Sequence, residues 1–248
     1  MKILVAIPAF NESRNIERTI KDLRENNIGY DFVVVDNGSF DNTVQVCKEL
    51  GVDVVAHCVN SGSSAGTVMT YLVYAYKHNY DILCQFDGDG QHIASELPKI
   101  IEPVKNGEAD YVMGSRFLNG DGEGFQSTFM RRIGIRLFSY LDSKLTGLKI
   151  TDVTSGFRAY SKKTIEFFVK YYRHELYDPS QLVLLSHFAG AKIKEVPVKM
   201  KERTDGRSEY RILNSVSFTI KGIINIIGCV LQKGQIKKFR ESVNPNGN

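Results

Sequence analysis

The sequence predicts an α/β protein: a mostly parallel sheet with helices on both faces. Short apolar runs alternate with helix-periodic segments through the first half, the signature of β-α-β units. Polar residues collect just beyond successive apolar runs, where open parallel sheets bind ligands. The 248 residues, 42% hydrophobic and 24% charged, suffice to bury roughly 70–75% of the unfolded surface without a disulfide or metal.

Taken in order, 3–7 reads as a buried strand, and Ile16, Ile20 and Leu23 recur at helical spacing. A second apolar run, 32–35, ends in Asp36; Val44, Cys47 and Leu50 then share a helical face; 52–56 is a third strand. A helix over Val68 to Tyr76 follows Asn60-Ser61-Gly62, and a fourth strand, 82–86, ends in Asp87. Beyond it, 111–113 reads as a strand into Gly114-Ser115-Arg116, and 119–124 as either a surface loop or a substrate lid. Residues 129–145 read as helix, 154–158 as a turn into a strand, Ser161 as a helix cap, 182–188 as helix and 193–198 as extended.

Composition narrows the function. A net charge of +4 does not point to nucleic acid, and none is expected as a partner. Its distribution is uneven: from Lys199 to Arg240, 10 Lys/Arg face 3 Asp/Glu, net +7, leaving −3 for the rest. Cys47, Cys58, Cys84 and Cys229 form no CxxC pair, which argues against zinc or redox chemistry and for a cytoplasmic location. No apolar run reaches the roughly 18 residues of a membrane-crossing helix.

The strongest chemical signal is Gln85-Phe86-Asp87-Gly88-Asp89-Gly90-Gln91-His92. An apolar strand delivers Asp87 and Asp89 two residues apart, so that an extended chain would turn both carboxylates the same way. Hard oxygen ligands suit Mg²⁺ or Mn²⁺, above all when a substrate diphosphate completes the shell. An EF-hand would need Gly where His92 stands and Glu where Pro98 stands. His92 is either an outer support of this turn or a packing residue. No phosphate loop, strand-linked GxGxxG, GxSxG or HExxH occurs.

Eight segments then occur in order: Pro8-Ala9-Phe10-Asn11-Glu12, Asp36-Asn37-Gly38-Ser39 with Asp41-Asn42-Thr43, Asn60-Ser61-Gly62, the acidic turn, Gly114-Ser115-Arg116, Ser155-Gly156-Phe157-Arg158, Glu195-Val196-Pro197 and Arg203-Thr204-Asp205-Gly206-Arg207-Ser208. The set resembles family 2 glycosyltransferases of the GT-A fold, nearest to the dolichyl- and polyprenyl-phosphate sugar synthases, over about residues 1–210. The resemblance implies a nucleotide-binding half over about 1–115 and an acceptor half over about 116–210. It implies that Pro8, Phe10 and Glu12 cradle the nucleoside, that Asn60 binds substrate and that Asp36 reads the base. It further implies that Asp87 and Asp89 hold the metal and diphosphate with Gln91 alongside, and that Arg116 contacts phosphate. The chain departs from the family with Asn37 in place of a second acid, Thr70 in place of Gly, Gln181 near the usual glutamates, and Glu209 in place of Lys.

The implied reaction moves a sugar, with inversion, from a UDP- or GDP-sugar to a polyprenyl phosphate or a lipid-linked or cell-envelope glycan. A phosphate acceptor is already anionic, whereas a hydroxyl needs a base; Asp152 is the first candidate and Asp178 the second, a loop-capping role being the alternative for each. A non-catalytic sugar-nucleotide-binding scaffold and a nucleotidyltransferase are the competing classes.

Residues 211–248 read as an amphipathic helix with a basic tail. Val216, Ile220, Ile223, Ile224, Ile227, Val230 and Leu231 share one arc, with Ser217, Lys221, Asn225, Gly228 and Gln232 opposite. Lys233, Lys237, Lys238 and Arg240 follow. Over 216–240 this pattern fits peripheral attachment to the inner face of the cell membrane, or packing on the core or on another subunit of a homo-oligomer.

Overall fold

The computed structural model describes residues 1–26, 29–61, 64–119, 129–171, 179–201 and 212–243. A seven-stranded sheet runs in the order β3 (Asp53–Ala56), β2 (Asp31–Asp36), β1 (Ile3–Ala9), β4 (Ile82–Gln85), β6 (Arg158–Ser161), β5 (Tyr111–Ser115) and β7 (Ile193–Pro197). Only β6 runs antiparallel to its neighbours. It returns the chain toward the opposite edge, so the loop before it enters the sheet at the rim where β4 and β5 leave it.

Alternation along the strands sorts the core into two layers. Leu4 and Ala6 face one layer with Val33, Val35 and Leu83, whereas Ile3, Val5 and Ile7 face the other with Val34 and Cys84. The second layer is roofed by α1 (Ile16–Glu25), α2 (Thr43–Glu49) and α4 (Leu97–Lys105), the first by α3 (Ala65–Lys77), α5 (Phe129–Thr146), α6 (Lys162–Tyr171), α7 (Pro179–Phe188) and α8 (Ile212–Val243). The expected elements are present with ends shifted by a few residues, and Ser161 does cap α6, its hydroxyl accepting the Thr164 N–H at 3.3 Å. The glycine-rich segment 120–124 lies outside the described residues.

The sequence reading did not anticipate α4. Pro98 occupies its first turn, where a missing N–H costs nothing, and Pro103 lies inside it. Buried Leu97, Ile100, Ile101 and Val104 nevertheless hold it to the sheet.

The C-terminal helix removes one of the alternatives that its sequence leaves open. Its apolar arc is real but points outward: Ile220, Ile224 and Ile227 are 55%, 54% and 53% exposed, and Leu231 is 78% exposed. Of the polar side, Asn225 packs inward while Lys221 stays exposed. Beside Asn225, Gly222, Ile226, Cys229 and Ile236 are buried, the last three completing the first layer. α8 packs on α7, with Ile226, Cys229 and Ile236 in the core layer that α7 shares. The apolar arc therefore does not pack on this chain's core.

Candidate active site

The carboxyl ends of β1, β2, β4 and β5 share one rim with the loop preceding β6. At β1, Asn11 adopts a left-handed backbone (φ 54°). That conformation lets the Asn11 N–H donate to Ser39 Oγ (2.8 Å) while Asn11 Oδ1 accepts the Phe40 N–H (2.9 Å), stapling the β1 turn to the β2 turn. The staple sets Phe10 against Phe40, ring centroids 6.3 Å apart and 76° between planes. Phe40 is 86% exposed. Pro8 is the penultimate residue of β1, its carbonyl accepting the Gly88 N–H at 3.1 Å. Glu12 is tied down by its N–H to Thr43 Oγ1 and by Asn15 Nδ2 on its carboxylate (2.6 Å).

Asp36 is buried in its own turn, one oxygen accepting the N–H groups of Gly38 (3.1 Å) and Ser39 (2.9 Å), the other the Ser39 hydroxyl. As placed, it shapes the turn, and any base it reads must share those oxygens. Gly38 is required there: with φ 74°, its Cβ would fall 2.6 Å from the backbone nitrogen of Asn60. Asn37 Oδ1 accepts from Ser61 Oγ (2.8 Å) and lies 3.2 Å from His57 Nδ1, whose other nitrogen meets Thr70 Oγ1 at 2.7 Å. Two departures from the family pattern, Asn37 and Thr70, thus meet through one histidine.

The acidic turn differs from the extended geometry expected of it. β4 ends at Gln85, and Asp89 lies in a turn, so the turn rather than strand alternation relates the two carboxylates. Asp87 is held on several sides. Tyr71 donates to Gln85 Oε1 (2.7 Å), and Gln85 Nε2 donates to Asp87 Oδ1 (2.9 Å). The Asp87 N–H donates to His92 Nδ1 (2.9 Å), which places the proton of the neutral ring on Nε2, 3.6 Å from Asp87 Oδ2. Burial pushes the His92 pKa below its ordinary value against the pull of Asp87 and Asp89. The ring stacks on Phe157 at 4.6 Å. Asp89 Oδ1 accepts the Gln91 N–H (3.0 Å), and the Gln91 carbonyl accepts from Lys201.

Arg116, just past β5, forms a buried bidentate pair with Asp152. Nε reaches Oδ2 at 2.5 Å, Nη2 reaches Oδ1 at 2.7 Å, and the Arg116 backbone N–H also donates to Oδ2. Thr154 takes a further Nη2 bond at 3.0 Å. Asp152 is fully buried, and both of its oxygens are engaged. Glu195 on β7 fixes the backbone beneath it, accepting the N–H groups of Thr151 (3.0 Å) and Asp152 (2.8 Å). Burial raises the Glu195 carboxyl pKa despite those bonds. Arg158, also buried, spans the loop by donating to the carbonyls of Ser155, Val153 and Pro179. Asp178 lies outside the described residues.

Pro8 and Asp36 stand at the ends of β1 and β2, Phe10, Glu12, Asp87, Asp89, Gln91 and Arg116 on the segments that follow β1, β4 and β5, and Asn60, beyond β3, against Gly38 of the β2 turn. Sequence reasoning missed Phe40 and Tyr71, and it quoted Gln85 and Glu195 within motifs without giving either a role. Phe40 left a signal as an apolar residue in a polar turn.

The side chains of the acidic turn have the chemistry of a divalent-ion site. Two carboxylates on one turn are hard oxygen ligands, and among the described residues no cluster of three ligating side chains occurs. That set fits Mg²⁺ or Mn²⁺ bound jointly by protein and substrate, not a closed protein cage.

The fold and rim define an α/β enzyme with an acidic turn beside a buried Arg–Asp pair. Residues 4–168 match the family model described as glycosyl transferase family 2, and the chain belongs to that family. It is 32% identical over 216 residues to a UDP-N-acetylglucosamine–dolichyl-phosphate N-acetylglucosaminyltransferase of Methanococcus voltae, covering 79% of this chain and 84% of that one. It is 28% identical over 220 residues to an undecaprenyl-phosphate mannosyltransferase of Micrococcus luteus, covering 84% and 87%. The fold matches that of glucosyl-3-phosphoglycerate synthase from Mycobacterium tuberculosis, solved with Mn²⁺ and UDP-glucose, at a TM-score of 0.68 and 18% identity, over 92% of this chain and 78% of that one. The fold is therefore of the GT-A kind. Family membership makes the chain a glycosyltransferase enzyme and sets aside the scaffold and nucleotidyltransferase alternatives.

Proposed function

We propose that the enzyme transfers a sugar, with inversion, from a UDP- or GDP-sugar to a polyprenyl phosphate. The Asp87 turn standing beside the Arg116–Asp152 pair carries this reading. Charge builds on the departing diphosphate as the glycosidic bond breaks, and fixed positive charge at that place lowers the barrier. Asp87 and Asp89, with Gln91 alongside, would hold a divalent ion, which supplies Lewis-acid neutralisation of that diphosphate. Arg116 serves the same charge from the other side, held in orientation by Asp152. The nucleoside occupies the turns of β1 and β2, its base against the corner of Phe10 and Phe40.

The state of Asp152 favours phosphate over hydroxyl as the acceptor. A hydroxyl must lose a proton during attack, and Asp152, enclosed and bound through both oxygens, is a positioning residue for Arg116. A phosphate monoester oxygen is anionic at neutral pH and needs no base. The names of the relatives support the same acceptor class.

Incubating the chain with Mn²⁺, a panel of UDP- and GDP-sugars and a short polyprenyl phosphate tests the proposal. One donor should yield a glycosylated lipid phosphate by mass spectrometry. Transfer to a hydroxyl-bearing lipid-linked sugar, with none to the bare phosphate, would overturn the acceptor assignment.

A further inference from the structure

β7 turns a carboxylate toward the core. Val196 packs in the second layer and Ile193 against the first, so Glu195 faces the first layer too, level with Met113 of β5. Burial raises its carboxyl pKa, so charge there is held against a desolvation cost. Hydrogen bonds offset that cost. The Asp152 N–H reaches Oε1 at 2.8 Å, the Thr151 N–H lies 3.0 Å from both oxygens, and the Thr151 hydroxyl donates to Oε2 at 3.0 Å. The last bond sets the direction of the contacts behind it. Thr151 gives its single hydroxyl proton to Glu195, so in the 2.6 Å contact between Ser115 Oγ and Thr151 Oγ1 the serine donates. Ser115 Oγ in turn accepts the Phe117 N–H at 3.1 Å. A second route runs through Asp152, whose N–H ends on Glu195 and whose carboxylate accepts the Arg116 backbone N–H and guanidinium. Two chains of hydrogen bonds, one fixing Arg116 itself and one fixing the next residue, therefore end on the same carboxylate.

We propose that Glu195 is a positioning residue for Arg116, holding the guanidinium in the orientation that meets the donor diphosphate. It acts through Asp152 on one side and through Thr151 and Ser115 on the other. The inference rests on the reading of Arg116 as a partner of the diphosphate. An ionised carboxylate suits the task because both of its oxygens accept. A glutamine would keep the shape, but it offers one accepting oxygen and turns amide protons against a backbone N–H, leaving the Thr151 or the Asp152 N–H without its acceptor. The loop would then shift, and the fork of Arg116 with it. A residue that only anchored the loop would change stability and leave the affinity for the diphosphate as it was.

Calorimetric titration of the full chain with UDP and with GDP, each with Mn²⁺, tests the inference without a sugar or an acceptor. Arg116→Ala should raise the Kd of the nucleotide that binds at least tenfold, and Glu195→Gln at least fivefold. Glu195→Gln added to Arg116→Ala should raise it less than twofold further, because the residue it positions is already gone. Thr151→Val, which keeps the shape and loses the hydroxyl, should raise the Kd about threefold, and Thr151→Ser should restore it. Melting curves establish that each variant is folded at the titration temperature. Where Arg116→Ala is not, Arg116→Lys takes its place; where Glu195→Gln is not, the two Thr151 variants carry the test. Weaker binding by the Arg116 variant with wild-type binding by Glu195→Gln and Thr151→Val overturns the inference and leaves the reading of Arg116 standing. Losses that multiply in the double variant also overturn it. Failure of both nucleotides to bind the wild type, or wild-type affinity in Arg116→Ala, overturns the reading of Arg116 and this inference together.

Discussion

Gly156 lies directly against the carboxylate of Asp87: a Cβ at position 156 would fall 2.3 Å from Oδ2 and 2.8 Å from Oδ1. The backbone there adopts no conformation reserved for glycine, so space alone demands the residue. Asp87 cannot simply retreat, because Gln85 holds one oxygen and His92 stands behind the other. Gly156→Ala should therefore displace Asp87 or the loop, costing about 1–3 kcal/mol of strain. Turnover should fall at least tenfold with weaker Mn²⁺ binding, read by initial rates and a Mn²⁺ titration. Wild-type values for both would show that the loop yields without cost.

Phe40 offers a cleaner separation of binding from folding. At 86% exposure it contributes little to the core, so Phe40→Ala should change stability by no more than about 0.5 kcal/mol. Stacking on a base is worth about 1–3 kcal/mol. The Kd for the nucleoside diphosphate should accordingly rise about tenfold, measured by calorimetry, with Phe40→Tyr close to wild type. Unchanged affinity in the alanine variant would remove Phe40 from the base site.

The legibility of this chain follows from how far apart the determining residues lie. Strands β1, β2 and β4 were readable because central parallel strands are buried on both faces and print as unbroken apolar runs. The acidic turn was readable because its residues are contiguous. The Arg116–Asp152 pair was not, since 36 residues separate partners that meet only after β6 inserts antiparallel between β4 and β5. α4 was hidden by two prolines that its packing tolerates. The direction of the α8 arc was left open by the sequence for a different reason. Periodicity reveals that a helix has two faces, but the one that turns inward here carries Ile226, Cys229 and Ile236 among polar residues, so it does not print as the more apolar of the two.

His92 makes stability depend on pH in a definite direction. Burial holds its folded pKa below the ordinary value, and its Nδ1 is occupied by the Asp87 N–H. Below about pH 6.5 the unfolded chain takes a proton that the folded chain refuses. Stability is thus full above that pH and declines as pH falls toward the folded value, by at most about 1.4 kcal/mol per unit for this one group. Urea denaturation in chelator between pH 7.5 and 5.5 should show the decline, and His92→Asn, whose Oδ1 can accept the same N–H, should flatten it. His187, also lowered by burial and by Lys233, acts in the same sense, so the double variant with His187→Asn should be flatter still. An equal slope in wild type and His92→Asn would mean that other groups set the acid limb.

The Arg116–Asp152 pair decides between two roles for the same aspartate. Breaking a buried pair from one side leaves an uncompensated charge and typically costs about 3–5 kcal/mol. Arg116→Ala and Asp152→Ala should each destabilise on that scale, and the double variant by clearly less than their sum. Kinetics separate the roles further. If Asp152 serves by orienting Arg116, Asp152→Asn raises the donor KM and lowers kcat together, and Arg116→Lys, which lacks the planar fork, reproduces much of the defect. A proton acceptor would behave otherwise: Asp152→Asn would bind donor as wild type does while kcat collapsed, and the basic arm of the kcat–pH profile would carry the loss. The enclosure of Asp152 and the engagement of both its oxygens predict the first pattern. That pattern removes Asp152 as the proton acceptor; Asp178→Asn with the same kinetic profile would remove the second candidate as well, leaving an acceptor that arrives already ionised.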